Sequence, residues 1–141
     1  MDNKYKLKSY ILVVRTTEKC KVGCFHCSIS ATKKGFEQNT KIAKNAINEA
    51  IEYGVSRIHL SGGEPLLYYG LPQLVEVASN KNVISGITSS TFTDTLEDTR
   101  PILIKIKKKG MKYVMLSYDE PHSKRVSISQ FCEFTKLAQE L

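Results

Sequence analysis

The stretch that decides the fold is Tyr10-Ile11-Leu12-Val13-Val14-Arg15-Thr16, followed by Cys20-Lys21-Val22-Gly23-Cys24-Phe25-His26-Cys27. The first half is a short apolar run of β-branched character and reads as a buried strand, Tyr10 to Thr16. The second half lies in the loop that leaves it, from Thr17 to about Gln38. Three thiolates on one loop can hold three corners of a cubane iron–sulfur cluster, whose usual protein ligand set is four cysteines. Three ligands leave one iron open, and an open position on a metal centre is where something other than protein binds. A single zinc ion on the same cysteines, with His26 as fourth ligand, is the plainer alternative.

Outward from this stretch, strand and helix patterns alternate. Asn39 or Thr40 can cap a helix that places Ile42, Ala43, Ala46, Ile47, Ala50 and Ile51 on one face and ends at Gly54. Arg57 to Leu60 is a second strand and Leu71 to Ser79 a second helix, with Pro72 suited to its first turn. Val83 to Thr88 is a third strand. Asp94 to Lys109 is helical, with a break or restart expected at Pro101. Tyr113 to Leu116 is a fourth strand, and a last helix carries Phe131, Phe134, Ala138 and Leu141. Cys132 is expected on the apolar side of that helix, as a small hydrophobe; His59, inside a strand, is expected to pack rather than ligate.

Such alternation implies an α/β fold with a parallel sheet and crossover helices. The polar motifs then gain meaning from position. The cysteine loop, Gly62 to Pro65, Thr88 to Thr91 and Ser117 to Asp119 each follow a strand, so they share one edge, where sites in these folds form. Gly62 and Gly63 lack side chains and let backbone approach a ligand closely. The cysteine loop, a separate segment, is expected to assemble independently of them.

The spacing Cys-x-x-x-Cys-x-x-Cys, together with Ser61-Gly62-Gly63-Glu64-Pro65 after the second strand, resembles the signature of the radical S-adenosylmethionine (radical SAM) superfamily. The resemblance implies a partial parallel (β/α) barrel, of which this chain supplies about four βα units where the family's core has about six. It implies a 4Fe-4S cluster on Cys20, Cys24 and Cys27, with S-adenosylmethionine on the fourth iron. One electron then splits a carbon–sulfur bond to give methionine and a 5′-deoxyadenosyl radical that abstracts hydrogen from a substrate. It further implies cofactor-binding roles for His26, beside the last cysteine, and for Gly62, Gly63 and Glu64. Ser89, Ser90, Ser117 and Asp119, after the third and fourth strands, are candidates for the ribose or amino-acid part of the ligand, and equally ordinary turn and cap residues. Glu120, His122 and Arg125 share that edge.

The partners implied are a one-electron donor of flavodoxin or ferredoxin type and a substrate of unknown identity, a peptide or protein being one candidate class. Two alternatives stand beside this reading: a non-catalytic iron–sulfur or zinc module, and an inactive fragment of a longer enzyme, marked by apolar surface left open at the last strand or helix.

The chain has 141 residues, 41% hydrophobic and 25% charged, ordinary for one globular domain with a core. It reads as a single domain over residues 1–141, short or truncated at its C-terminal side. No apolar run approaches the ~18 residues of a membrane span, and the basic N-terminus lacks a signal-peptide core, so a cytoplasmic location is the expectation. Three cysteines in so short a run point to a shared metal centre in a reducing compartment rather than to disulfides. The net charge is +7. Lys105, Lys107, Lys108 and Lys109 close a helix before Gly110, where cations complement the helix dipole. Aromatics are not interleaved with the lysines, so nucleic acid is not indicated.

Overall fold

A computed structural model describes residues 10–91 and 95–141. The basic run at the N-terminus and the expected helix start at Asp94 lie outside the described residues. Strand β1 (Ile11–Thr17) leads through the cysteine loop to α1 (Thr40–Glu52), then β2 (Arg57–Gly62), a 3₁₀ turn (Pro65–Leu67) and α2 (Leu71–Asn80). Next come β3 (Ile84–Ser89), α3 (Leu96–Lys108), β4 (Tyr113–Leu116), a short α4 (Glu120–Ser123) and α5 (Ile128–Glu140). The four strands form one parallel sheet in the order β1-β2-β3-β4. Consecutive parallel neighbours joined by helices make an arc of a (β/α) barrel, so the expected fold class holds.

Local chemistry explains the boundaries. Asn39 caps α1, its side chain accepting from the backbone N–H of Lys41 and Ile42, and Gly54 closes that helix at φ +94°. Thr95 caps α3 by accepting from Asp98 N. Ser127 and Gln130 form a reciprocal capping box at the start of α5. Pro101 does not break α3, which runs unbroken across it. Proline forfeits one backbone hydrogen bond there, and the capped first turn before it and the packing of Leu103 and Ile106 after it hold the helix.

The helices cover one face of the sheet. Ile58, Leu60 and Ile87 point to that face and are buried with Ala43, Ile47, Leu71, Leu74, Val75, Ala78, Leu103 and Ile106. Alternate residues point the other way, and there the structure corrects the expectation of a wholly buried first strand. Val13 is 61% exposed and Ile11 is also exposed, while Leu12 and Val14 face the core. The apolar face of α1 is also narrower than its sequence suggests. Ala43 and Ile47 are buried, but Ile42 and Ala46 are exposed, because α1 lies at the end of the helical layer, with α2 packed on one side. Cys132 is exposed rather than part of the core; Phe134 and Leu137 form the buried side of α5.

Candidate functional site

The cysteine loop is pinned at its stem before any metal is considered. Glu18 N donates to Phe36 O, Cys20 N to Thr32 O (2.9 Å) and Thr32 N to Glu18 O. Thr17 Oγ1 donates to Phe36 O and accepts from Lys19 N. Val22, only 2% exposed, anchors the loop in the protein. Past it, Gly23 takes φ +69°, a left-handed turn that suits glycine, and Cys27 N closes back onto Cys24 O.

Gly62 and Gly63 strap the second motif onto this stem. Gly63 N donates to Thr17 O and Glu64 N to Lys19 O, both at 2.7 Å. A Cβ on Gly62 would strike the Thr17 carbonyl oxygen, and one on Gly63 that of Lys19. The glycines are therefore required by the close approach of the chain's own backbone, one residue before Cys20. Backbone hydrogen bonds thus tie the two motifs into one unit, which runs against the expectation that the cysteine loop assembles without this segment.

Glu64 is fully buried and does not line the cavity described below. Its Oε1 accepts from Leu66 N and Ser89 Oγ, its Oε2 from Ser90 N and Ser90 Oγ. Burial pushes its carboxyl above the usual range, against the pull of these four donors. Glu64 and Ser89 thus act as a strut that ties the exit of β2 to the exit of β3, and neither lines that cavity.

Above the strand ends lies a cavity of about 410 Å³. Cys20, Cys24, Cys27 and His26 line one side, Gly62, Gly63 and Ser90 another, and Thr88, Ser117 and His122 also reach it. Seven of the expected residues therefore meet around one space: the three cysteines, His26, Gly62, Gly63 and Ser90. Ser117 makes an eighth. Asp119 stands at the rim, bridging His26 Nε2 at 3.2 Å and His122 Nδ1 at 2.5 Å. Hydrogen bonds from His122 hold its carboxyl below the ordinary aspartate range. The bridge joins the cysteine loop to the exit of β4. His122 has a firmer place than sequence gave it; its signal is the i,i+3 spacing from the helix cap Asp119.

Three thiolates beside a histidine form a donor set for iron or zinc. Tetrahedral Zn²⁺ with Zn–S near 2.3 Å needs its sulfurs roughly 4 Å apart. Among the described residues, the group of metal-ligating atoms that lie within 4.8 Å of one another is His26, Asp119 and His122. A cubane places each thiolate on a different iron. Burial raises the pKa of Cys20, and burial together with the neighbouring Cys20 charge raises that of Cys24. These thiols hold their protons until a cation is present to share the charge.

Comparison with known proteins places the chain. The sequence model of the radical SAM superfamily matches residues 14–140, and the chain belongs to that superfamily. It is 31% identical to the PqqA peptide cyclase of Gluconobacter oxydans (strain 621H) over 112 residues, covering 77% of this chain and 30% of the cyclase. It is 33% identical to the Fe-coproporphyrin III synthase of Methanosarcina barkeri over 117 residues, covering 81% of this chain and 28% of the synthase. Among solved structures, Streptococcus suis SuiB bound to S-adenosylmethionine superposes with a TM-score of 0.55 at 21% identity, over 75% of this chain and 24% of SuiB. SuiB bound to its precursor peptide SuiA gives 0.57, over 75% and 23%. The likeness to SuiB shows the shared fold. The chain spans about three-tenths of the length of these curated relatives. No helix among the described residues is long and apolar enough to cross a membrane.

Proposed function

We propose that this chain carries the cofactor core of a radical SAM enzyme that acts on a peptide or protein. The observation that supports the reading is the convergence of Cys20, Cys24, Cys27, Gly62 and Gly63 on one cavity at the strand ends. The three cysteines would hold a 4Fe-4S cluster, and Gly62, Gly63, Ser90, Ser117 and His26 would surround S-adenosylmethionine. When bound, the pair supplies reductive cleavage of S-adenosylmethionine to a 5′-deoxyadenosyl radical for hydrogen abstraction. The chain's own residues bind and orient. The stem hydrogen bonds fix the loop, the glycine strap sets its distance from β2, and the Asp119 bridge ties it to β4. The name of the cyclase relatives and the peptide complex of SuiB favour a peptide as substrate; the synthase relative is named for a porphyrin product. The one-electron donor is proposed to be of flavodoxin or ferredoxin type, drawn by the net charge of +7, and the location to be cytoplasmic. The residues given are proposed to form one domain.

Anaerobic reconstitution with iron and sulfide tests the reading. The expected product is a brown protein with about four irons that releases methionine and 5′-deoxyadenosine when reduced with S-adenosylmethionine. Cys20→Ala, Cys24→Ala and Cys27→Ala should each abolish the cluster, and Cys132→Ala should keep it. A colourless protein holding zinc, or equal loss with Cys132→Ala, would overturn it.

A further inference from the structure

The face of the sheet away from the helices carries a hydrogen-bonded chain with no role assigned above. His59 on β2 places Nε2 at 2.6 Å from Thr88 Oγ1 on β3 and Nδ1 at 3.0 Å from Tyr113 Oη on β4. The His59 and Tyr113 rings stack, with centroids 5.8 Å apart and planes 17° apart. Because β3 lies between β2 and β4, the tyrosine must cross a strand to reach the histidine. It crosses at Gly86, which pairs in register with both His59 and Tyr113. A Cβ on Gly86 would collide with the Tyr113 ring. The glycine is the opening that lets the contact form.

The hydrogen bonds have a direction. Burial lowers the pKa of His59 and keeps its imidazole neutral at pH 7. A neutral imidazole has one N–H and one lone pair, so one hydroxyl donates to it and the other accepts from it. A phenol is the more acidic hydroxyl, at a pKa of about 10, and so the better donor. With Tyr113 O–H as the donor to Nδ1, Nε2–H donates to Thr88 Oγ1. Thr88's own proton is left over, and Thr88 lines the cavity shared by the cysteines and the glycine strap.

We propose that Tyr113 and His59 are positioning residues that fix Thr88 as a hydrogen-bond donor to an acceptor atom of S-adenosylmethionine. The assignment rests on the functional reading above. It extends the site from the loops to the inner face of the sheet and gives three residues there a directed function.

Two measurements on the full chain test it. The ¹⁵N–¹H correlation pattern of the His59 ring should show the Nε2–H tautomer in the wild type. An Nδ1–H tautomer or an imidazolium at pH 7 in the wild type would overturn the direction. Binding of S-adenosylmethionine to the reconstituted protein is followed by the change in the reduced cluster's electron paramagnetic resonance signal. Thr88→Val should weaken it about tenfold, the loss of one hydrogen bond, while Thr88→Ser retains it. Tyr113→Phe should weaken it by a smaller factor, and the Thr88→Val/Tyr113→Phe double variant should bind no worse than Thr88→Val alone. Wild-type affinity in Thr88→Val, or additive losses in the double variant, would overturn the proposal while leaving the superfamily reading intact. A wild type that assembles the cluster but binds no S-adenosylmethionine overturns both.

Discussion

The two faces of the sheet use the same strands and similar side chains to opposite ends. Toward the helices, Ile58, Leu60 and Ile87 have no exposed surface. On the other face, one residue along each strand, Val13 is 61% and Met115 54% exposed, and Ile11 and Ile84 are also open. Between them stand the polar His59, Thr88 and Tyr113. Apolar runs in parallel strands usually signal burial on both faces. Here they record one face that builds the core and another that stays open beneath the cavity at the strand ends. Stability should therefore reside on the first face and ligand recognition on the second.

A pair of truncations gives the largest contrast. Leu60→Ala leaves a cavity among α1, α2 and the sheet, and should lower unfolding free energy by about 2–5 kcal/mol. Val13→Ala removes a side chain already in solvent and should change it by no more than about 0.5 kcal/mol. Urea titration of both variants is the measurement. Equal losses would mean that the inner face is packed in solution and would break the comparison.

Gly63→Val probes the seam between the faces. The new side chain meets the Lys19 carbonyl and must push the stem of the cysteine loop aside. Overpacking of this kind costs roughly 1–3 kcal/mol, and the displaced Cys20 should lower the iron content of the reconstituted protein as well. Iron analysis showing a full cluster, with only S-adenosylmethionine binding impaired, would restore the view of Gly63 as a ligand contact alone.

Glu64 sharpens the comparison, because its motif belongs to the site but its surroundings belong to the core. Its folded pKa is raised by burial. Between the ordinary carboxylate pKa and that raised value, the native state binds more protons than the unfolded chain, so this group's contribution to stability falls as pH rises through the window. Glu64→Gln removes that dependence. The difference in unfolding free energy between wild type and variant, measured along a pH series, should move against the wild type as pH rises through the window and be flat below it. A flat difference throughout would show that the four donors fully offset burial.

The strand and helix order, the parallel sheet and the gathering of the three cysteines at the strand ends were legible because each depends on local pattern: apolar runs, Asn39 and Gly54 at helix ends, and three thiols in one loop. What sequence concealed was set by non-local neighbours. Ile42 and Ala46 carry the right helical period, but what covers a helix face is not written in its own residues. The hydrogen bonds of Glu64 to Ser89 and Ser90 form only once the β2 and β3 exits are brought side by side. Pro101 signals a break that the surrounding turns override. The link from Gly86 to Tyr113 and His59 spans three strands, and it appears only once their register is known.

The smallest effect is expected at Asp119, the exposed counterpart of Glu64. Its pKa is lowered chiefly by the hydrogen bond from the His122 side chain, then by the His122 backbone N–H and by the charges of His122 and His26. Across the window between the lowered value and the ordinary one, the unfolded chain binds more protons than the native state. The group's small contribution to stability is therefore present above that window and lost as pH falls through it. Solvent and salt screen so exposed a pair, so a direct probe serves better than unfolding. The ¹³C shift of the Asp119 carboxyl should titrate below the ordinary aspartate midpoint, and His122→Ala should move that midpoint upward. Raising the salt concentration should recover only part of the shift, since screening weakens the contribution of charge but leaves the short hydrogen bond in place. Complete recovery in salt would mean that Asp119 feels only the field of the two histidines, and that the bridge joining the cysteine loop to β4 is not held by its hydrogen bonds.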